Sequence, residues 1–408
     1  MFMTHRNSRL LRILRQNRWK TTSCSNDFTI LGIETSCDDT GCAVIDGAGN
    51  VLGESLYSQN AIHVRYGGVN PFIAHELHRE HIETAVTEAL STAKIKIKDI
   101  DAVAVTVKPG LLLSLQVGVQ YAKYICMEYN KPIIPVHHME AHALVARIYH
   151  NLPFPFIVLL ISGGHCLLCL VQDVNQFLLL GESLDNAPGE ILDKVARRMK
   201  LKNIKEYSQL AGGKAVEEAA KKANNSQQFQ FPLPLNRNRD CNFSFSGLKD
   251  SLVRKLIKKE KEHGITGDCL IPEYNDLCAS FQIALAEHLG HRLERAIIFC
   301  EEKNLINPNN KNIVVSGGVA CNDFIFKSMQ FVAGKSGYSC YRPPPKVCTD
   351  NGIMIAWNGV EKLKKSYQIQ YDLPLSEIDP IAPLGKSLIH EVKCANIPVK
   401  VTKLTNLL

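Results

Sequence analysis

Two histidines four residues apart, His138 and His142, have the spacing best suited to metal chemistry in this sequence. They lie in HHMEAH (137–142), after the apolar run 132–136 and before 143–146, a pattern that reads as a strand entering a helix. On a helix, imidazoles at i and i+4 project from one face about one turn apart, which makes a two-toothed clamp for a metal. For an arbitrary HxxxH the ordinary reading is a pair of satisfied polar groups at a helix start. The end of a probable strand shifts that balance, because ligands gather at strand C-termini in α/β proteins. Glu140 sits about 200° round the helix from His138, so the pair is not the zincin arrangement HExxH. Asp350, in CTDNG (348–352), is either the N-cap of the next helix or a remote carboxylate completing a His–His–Asp set. Such a set leaves coordination positions open for substrate, as in catalytic zinc or non-haem iron sites.

Three small-residue turns offer a second kind of chemistry. They are TSCDDT (35–40), SGGH (162–165) and SGGVACN (316–322), each at the end of a probable strand. Small residues let backbone N–H groups approach phosphate oxygens, and a following helix N-terminus favours the negative charge. One such turn is weak evidence. Three, at equivalent ends of two similar lobes, argue for a nucleotide in a cleft between those lobes. Asp38 or Asp39 is placed to contact metal or water, or else to close an Asx-turn. Glu190 and Asp193, in GEILDK (189–194), are placed to hold ribose hydroxyls, or are first-turn acids favoured by the helix dipole. No GxxxxGK[ST] is present, which excludes a P-loop protein.

The elements that must carry these residues follow a repeated plan. Residues 29–33, 41–45 and 51–57 read as strands joined by tight turns, and 71–93 as a helix with Ile82, Ala85, Val86, Ala89 and Leu90 on one stripe. A strand over 101–107, a helix over 111–127 and a strand over 133–136 follow. His75, His78 and His81 read as a solvated or interface face. The plan then recurs: strands at 156–161, 165–171 and 176–180, a helix over 188–199, and helices over 248–261 and from 277 to beyond 297. A strand at 312–315 precedes a helix from about 322. This is an α/β chain with a duplicated lobe, divided at NLPFP (151–155). The expected domains are 28–150, 155–345, a closing helix within 346–372 returning toward the first lobe, and a tail over 373–408 whose structure is left open.

The chain has 408 residues, 45% hydrophobic and 21% charged, an ordinary globular composition with no apolar run of membrane-spanning length. Its 14 cysteines have no framework spacing and read as reduced thiols; Cys166 and Cys169 would face opposite sides of a strand. Residues 1–26 hold five arginines and Lys20 with no acid, which reads as a mitochondrial presequence rather than a basic nucleic-acid-binding tail. Without those six charges the formal charge falls from +7 to +1, so any nucleic-acid surface must be a local patch.

Together GIETSCDDT (32–40), HHMEAH, ISGGH (161–165), GEILDK, FSFSGLK (243–249), SGGVACN and CTDNG resemble, in order, the TsaD family of tRNA threonylcarbamoyladenosine synthases, above all its mitochondrial branch. The resemblance spans about residues 28–360. It implies two RNase H-like lobes of the actin/Hsp70-like (ASKHA) superfold with an interlobe nucleotide cleft. It also implies transfer of threonylcarbamoyl from threonylcarbamoyl-AMP to N6 of adenosine 37 in tRNAs reading ANN codons, forming t6A. Carried onto this chain, it implies that His138, His142 and Asp350 bind one divalent metal, iron or zinc. Leu160, Ile161, Ser162, Gly163 and Gly164 would border the adenylate phosphates. Asp193, Gly213 and Asn322 would line the nucleotide pocket, with Glu34, Ser36, Asp38, Asp39, His165, Glu190, Ser316, Gly317 and Gly318 in support. Ala211, Cys166 and Lys108 stand where the family often has Pro, Thr and Gly.

No side-chain nucleophile is needed for such a transfer, and none in the motifs stands beside a base as in a triad. The implied partners are tRNA, a separate synthase supplying the adenylate, and a second copy of the chain in a homodimer. Arg197, Arg198, Lys200, Lys249, Arg254, Lys255, Lys258 and Lys259 are candidate phosphate contacts, or else solvated helix faces. The competing classes are an ATP-hydrolysing kinase or chaperone-like protein of the same fold and, less well supported, a metallopeptidase.

Overall fold

The structure is a computed structural model and describes residues 28–63, 66 and 68–407. The presequence reading concerns residues outside that set. The described residues fold into two compact units, one of residues up to 148 with 350–383, the other of 149–349 with residues from 384 on.

The first unit is built on five strands: β1 (Thr29–Glu34), β2 (Asp39–Asp46), β3 (Val51–Ser58), β4 (Ala102–Lys108) and β5 (Ile133–His137). Their order in the sheet is β3-β2-β1-β4-β5. β1 is antiparallel to β2, Ile30 opposite Ile45, and parallel to β4, Ile30 opposite Ala102. β1, β2, β4 and β5 are buried along nearly their whole length, which requires cover on both faces. Helices α1 (Pro71–Ala93) and α2 (Leu112–Tyr129) pack on one another, α1 also on β2 and β3, and α2 on β4. The return helix Gly352–Lys364 packs on β1, β2 and β4.

α1 begins where the sequence predicts, because Asn70 accepts from the N–H groups of Phe72 and Ile73 and Pro71 takes the first helical position. The three-apart histidines of α1 do not share a solvated face. His78 is fully buried, with Nδ1 2.7 Å from the Thr40 hydroxyl and Nε2 3.0 Å from the Cys37 carbonyl. His81 stacks on Tyr57.

The second unit repeats the order. β6 (Phe156–Ile161), β7 (Cys166–Asp173) and β8 (Gln176–Glu182) are antiparallel, and β9 (Asn312–Ser316) runs parallel to β6 with β10 (Ser339–Tyr341) beyond it. Read from β8, the sheet runs β8-β7-β6-β9-β10, the same topology as in the first unit. Around it lie α4 (Pro188–Arg198), α5 (Gly212–Ala220), α6 (Ser246–Glu262), α7 (Tyr274–Glu302) and α8 (Asp323–Lys335), following α3 (His138–Leu144) of the first unit. The tail is shared. Gln370 pairs with Ile133 and Leu373 is buried in the first core, while β11 (Lys386–Ser387) adds to the edge of β8.

α7 is buried for most of its length and carries His288, whose Nε2 accepts from the Ser244 N–H between the rings of Phe243 and Phe245. Burial holds His288 well below the ordinary imidazole range, and Arg292 and His291 add to this. A histidine kept neutral in the fold contributes stability that is complete above its unfolded value near 6.5 and lost as pH falls below it. Thermal melting should therefore show Tm falling as pH drops from 7 to 5, and the fall should be shallower in His288→Gln.

Candidate metal centre and its surroundings

α3 starts with a histidine used as a cap. His137 Nδ1 accepts from the Met139 N–H, and its Nε2 lies 3.3 Å from the Pro383 carbonyl oxygen. With His137 committed there, His138 and His142 stand one turn apart, buried, with ring centroids 4.7 Å apart and planes at 85°. Asp350 Oδ1 lies 3.0 Å from His142 Nε2 and 3.5 Å from His138 Nε2. Ligand atoms of these three residues all fall within 4.8 Å of one another.

Asp350 is not the cap of the return helix. Asn351 is, its side chain accepting from the Met354 N–H. That division leaves the Asp350 carboxylate directed at the histidines.

Glu34, fully buried at the end of β1, stands behind His138. Its Oε2 is 3.2 Å from His138 Nδ1 and accepts from the Thr106 hydroxyl at 2.6 Å, while its Oε1 accepts from the Ser36 N–H. The Ser36 hydroxyl is 3.1 Å from the same His138 nitrogen. A carboxylate on Nδ1 leaves Nε2 free to ligate, the usual support for a metal-bound imidazole. Burial opposes charge on both groups, yet Asp350 and Glu34 raise His138 to about 9, and His138 draws Glu34 below the usual carboxylate range. His142 Nδ1 is buried without a hydrogen-bond partner among the described residues. The donor set thus fits a divalent cation: two imidazole nitrogens and a carboxylate oxygen, on a site that already concentrates negative charge.

Asp38 and Asp39 are outside the ligand group. Asp39 has a buried Oδ1 with no partner among the described residues, and burial pushes its carboxyl up to about 7. Glu140 pairs with the buried Lys362 at 3.2 Å, so it secures α3 to the return helix. Sequence reasoning missed Glu34 as the partner of His138, and it missed Lys362. The signal for Glu34 is an acid at the end of an otherwise apolar strand; Lys362 lies among Glu361 and Lys364 and carries no such mark.

In the second unit, Leu160 and Ile161 are fully buried in β6, so only their backbone can face a ligand. The Ser162 hydroxyl accepts from the N–H groups of Gly164 and His165. Gly163 and Gly164 are exposed, and a Cβ at either would meet no atom within 4 Å. Gly189 is different: its Cβ would lie 2.7 Å from the Ser162 carbonyl, so α4 starts in backbone contact with this turn. Asp193 accepts from the Gly213 N–H at 3.2 Å, which ties α4 to α5. Glu190 is held by Lys194 and Asn186. Asn322 caps α8 through Ile325 N–H and donates to Gln282 at 2.8 Å. Gly317 adopts φ +97° against the Ile161 carbonyl, and Ser316 Oγ is buried without a partner among the described residues.

Several candidate phosphate contacts are engaged. Arg198 makes a bidentate pair with Glu260, and Lys258 and Lys259 pair with Glu262, the latter also with Glu273. Lys249 lies 3.3 Å from Asp250, and Lys200 donates to the carbonyls of Gly267 and Cys269. Arg197 and Arg254 are exposed.

Fold and site define a duplicated α/β protein of the ASKHA type with a His–His–Asp set suited to a metal ion, its two imidazoles buried and its carboxylate partly exposed. The solved structure of T. kodakarensis HypF has the same fold, with a TM-score of 0.51 at 15% identity over 87% of this chain and 49% of that one. A family model described as tRNA N6-adenosine threonylcarbamoyltransferase matches residues 50–357, and the chain belongs to that transferase family. Its relatives include proteins named mitochondrial tRNA N6-adenosine threonylcarbamoyltransferase. That of Rattus norvegicus is 49% identical over 92% of this chain and 91% of its own length, and that of Homo sapiens 47% over 92% and 90%. The Wolbachia pipientis wMel enzyme of the same activity name is 40% identical over 83% and 94%.

Replacing His142 by Ala should abolish stoichiometric binding of a divalent metal, read by elemental analysis, while circular dichroism stays native. Glu34→Gln should keep the ligands but weaken metal affinity by about 10–100-fold, because the support of His138 is reduced.

Proposed function

We propose that this protein transfers threonylcarbamoyl from threonylcarbamoyl-AMP to N6 of adenosine 37 in mitochondrial tRNAs reading ANN codons. The observation that carries this reading is the His138–His142–Asp350 set, supported by Glu34, in a chain of the transferase family. The relatives named mitochondrial support action in the mitochondrion, with residues 1–26 as the targeting segment. No helix among the described residues is long and apolar enough to cross a membrane.

The exocyclic amine of adenine is a weak nucleophile because its lone pair is delocalised into the ring. The acyl group must arrive activated, as it does when joined to phosphate in the adenylate. The protein's task is then to orient both reactants and to stabilise negative charge on the departing AMP. His138, His142 and Asp350 hold one divalent ion, iron or zinc, which when bound supplies a Lewis-acid centre. Ser162–Gly164 offer a turn whose backbone a phosphate can approach with no side chain in the way. Asp193, Gly213 and Asn322 shape the nucleoside side, and Glu34 holds His138 in one tautomer. No residue is required to form a covalent intermediate. The target base lies in a single-stranded loop, so presenting it costs little. A separate synthase supplies the adenylate, and the working form is a homodimer.

Mass analysis of nucleosides from mitochondrial tRNA tests the reading. Loss of t6A when the protein is removed, restored by the wild type and not by His142→Ala, supports it; unchanged t6A refutes it. For tRNA binding, Arg197→Ala and Arg254→Ala should each lower the log–log salt slope by about one unit. Lys258→Ala and Lys259→Ala, whose ammonium groups already face Glu262, should change it little in filter-binding assays.

A further inference from the structure

We propose that the loop 234–240 is a contact surface for a nucleic-acid backbone, a firmly held turn that presents Arg237 and Arg239 to phosphates of the tRNA. The proposal rests on the transfer reading for its choice of RNA and on nothing else in it. The loop lies in the second unit, just before FSFSGLK (243–249). Asn236, Arg237 and Asn238 are exposed, and Arg239 is half-buried. Neither arginine makes a side-chain hydrogen bond or an ion pair among the described residues. Basic side chains of α4 and α6 are the reverse case: Arg198 is paired with Glu260, and Lys259 with Glu262 and Glu273.

Exposure alone describes any solvated loop. This one differs in how its backbone is held. Arg292, fully buried on α7, donates through Nη1 to the carbonyls of Asn238 at 3.2 Å and Asp240 at 3.0 Å. Through Nη2 it donates to those of Pro234 at 3.2 Å and Leu235 at 2.7 Å. Arg295, also fully buried, donates to the same Asp240 carbonyl at 2.7 Å and to the Ile397 carbonyl at 3.1 Å. The Asn238 N–H closes the turn on the Leu235 carbonyl at 2.9 Å. Leu235 has φ +49°, a left-handed conformation that a leucine seldom adopts. Such a conformation persists only where the surroundings over-determine it, and here the buried guanidiniums do so.

The support is itself cationic. Arg292 and Arg295 bond to carbonyl oxygens and to His291, not to a carboxylate. The Asp240 carboxylate instead accepts from the Asn242 N–H at 3.1 Å. Burial and the Arg295 charge lower Arg292 to about 10, which leaves it protonated at neutral pH. Buried and exposed guanidiniums therefore add to one positive field over the turn. Arginine forks match phosphate oxygens two bonds at a time. Two residues of chain span at most about 7 Å, so Arg237 and Arg239 reach one short stretch of backbone. The exposed amides of Asn236 and Asn238 supply further donors of the kind that hold phosphate and sugar. A small ligand needs a concave pocket, which an exposed turn is not. A membrane surface is met by clusters of about four to eight basic residues, and this loop offers two.

The test is filter binding of an unmodified tRNA transcript to the full-length protein over a series of salt concentrations. The double variant Arg237→Ala/Arg239→Ala should lower the log–log salt slope by about two units. Its circular dichroism and Tm should match the wild type, because neither side chain is bonded within the fold. Arg237→Lys/Arg239→Lys should keep the slope, since the charge stays, and bind more weakly, since the fork is lost. An unchanged slope in the alanine variant overturns the proposal and assigns the loop to solvent or to a protein partner. A loss of affinity with the slope intact overturns it too, as does wild-type protein that binds no tRNA. The transfer reading fails separately. Wild type that binds tRNA but forms no t6A from supplied threonylcarbamoyl-AMP refutes transfer, while the two-unit change in slope still supports this surface.

Discussion

The first unit depends on a backbone-to-backbone contact. The return helix lies against β1 and β2 with no side chain between them: a Cβ on Gly32 would stand 2.3 Å from the Ala356 nitrogen, and one on Gly352 would stand 2.4 Å from the Cys42 carbonyl carbon. At those distances the helix would have to move, since real Cβ contacts are not made so short and a packed interior does not yield cheaply. The contact matters because Asp350 stands just before that helix and its partner His142 is 208 residues away in sequence. A carboxylate on so remote a segment can reach within 3.0 Å of an imidazole only if the helix behind it is seated without play. Asn351 completes the arrangement by taking the capping bond that Asp350 would otherwise make.

Charge then does what packing alone cannot. Burying Glu34 at no exposure would be costly for an isolated carboxylate. It is tolerated because a hydroxyl, a backbone N–H and the His138 imidazole converge on it. The same grouping concentrates negative potential at Asp350 and Asp39, so burial and neighbouring carboxylates keep Asp39 raised near 7. A divalent cation at the histidines would relieve that repulsion, which explains how so acidic a pocket is compatible with a folded core.

Much of this is legible in the sequence where the signal is local. The strand–turn–strand repeats, the stripe of α1 and the His138/His142 spacing depend on neighbours within a turn or a pleat, and the structure reproduces them. Asp350 has two readings because its helix-start context and its distant partners are both polar solutions; only tertiary proximity separates them. His78 departs from expectation because residues three apart on a helix drift round its surface, so equal spacing does not mean equal exposure. The basic residues of α6 depart for a related reason. Their acidic partners lie one turn along or on the segment before α7, and a run of charges does not reveal which are already neutralised. Glu34 closes β1 instead of opening the expected turn, and its contact with His138 spans 104 residues and leaves no pattern in the chain.

The duplicated topology makes the chemical asymmetry informative. The turn after β1 and the turn after β6 occupy the same position in sheets of the same order. One is acidic and hydroxyl-bearing, ETSCDD, and its Glu34 and Ser36 side chains converge on His138. The other is SGGH, in which the two glycines are demanded by no internal contact. Glycine at an exposed turn adopting no left-handed conformation sacrifices chain stiffness without easing any clash. What it does leave is a bare stretch of backbone that an anionic oxygen can approach. From one repeated turn position, then, the first unit builds a buried charged cluster round His138 and the second leaves a stretch of bare, exposed backbone.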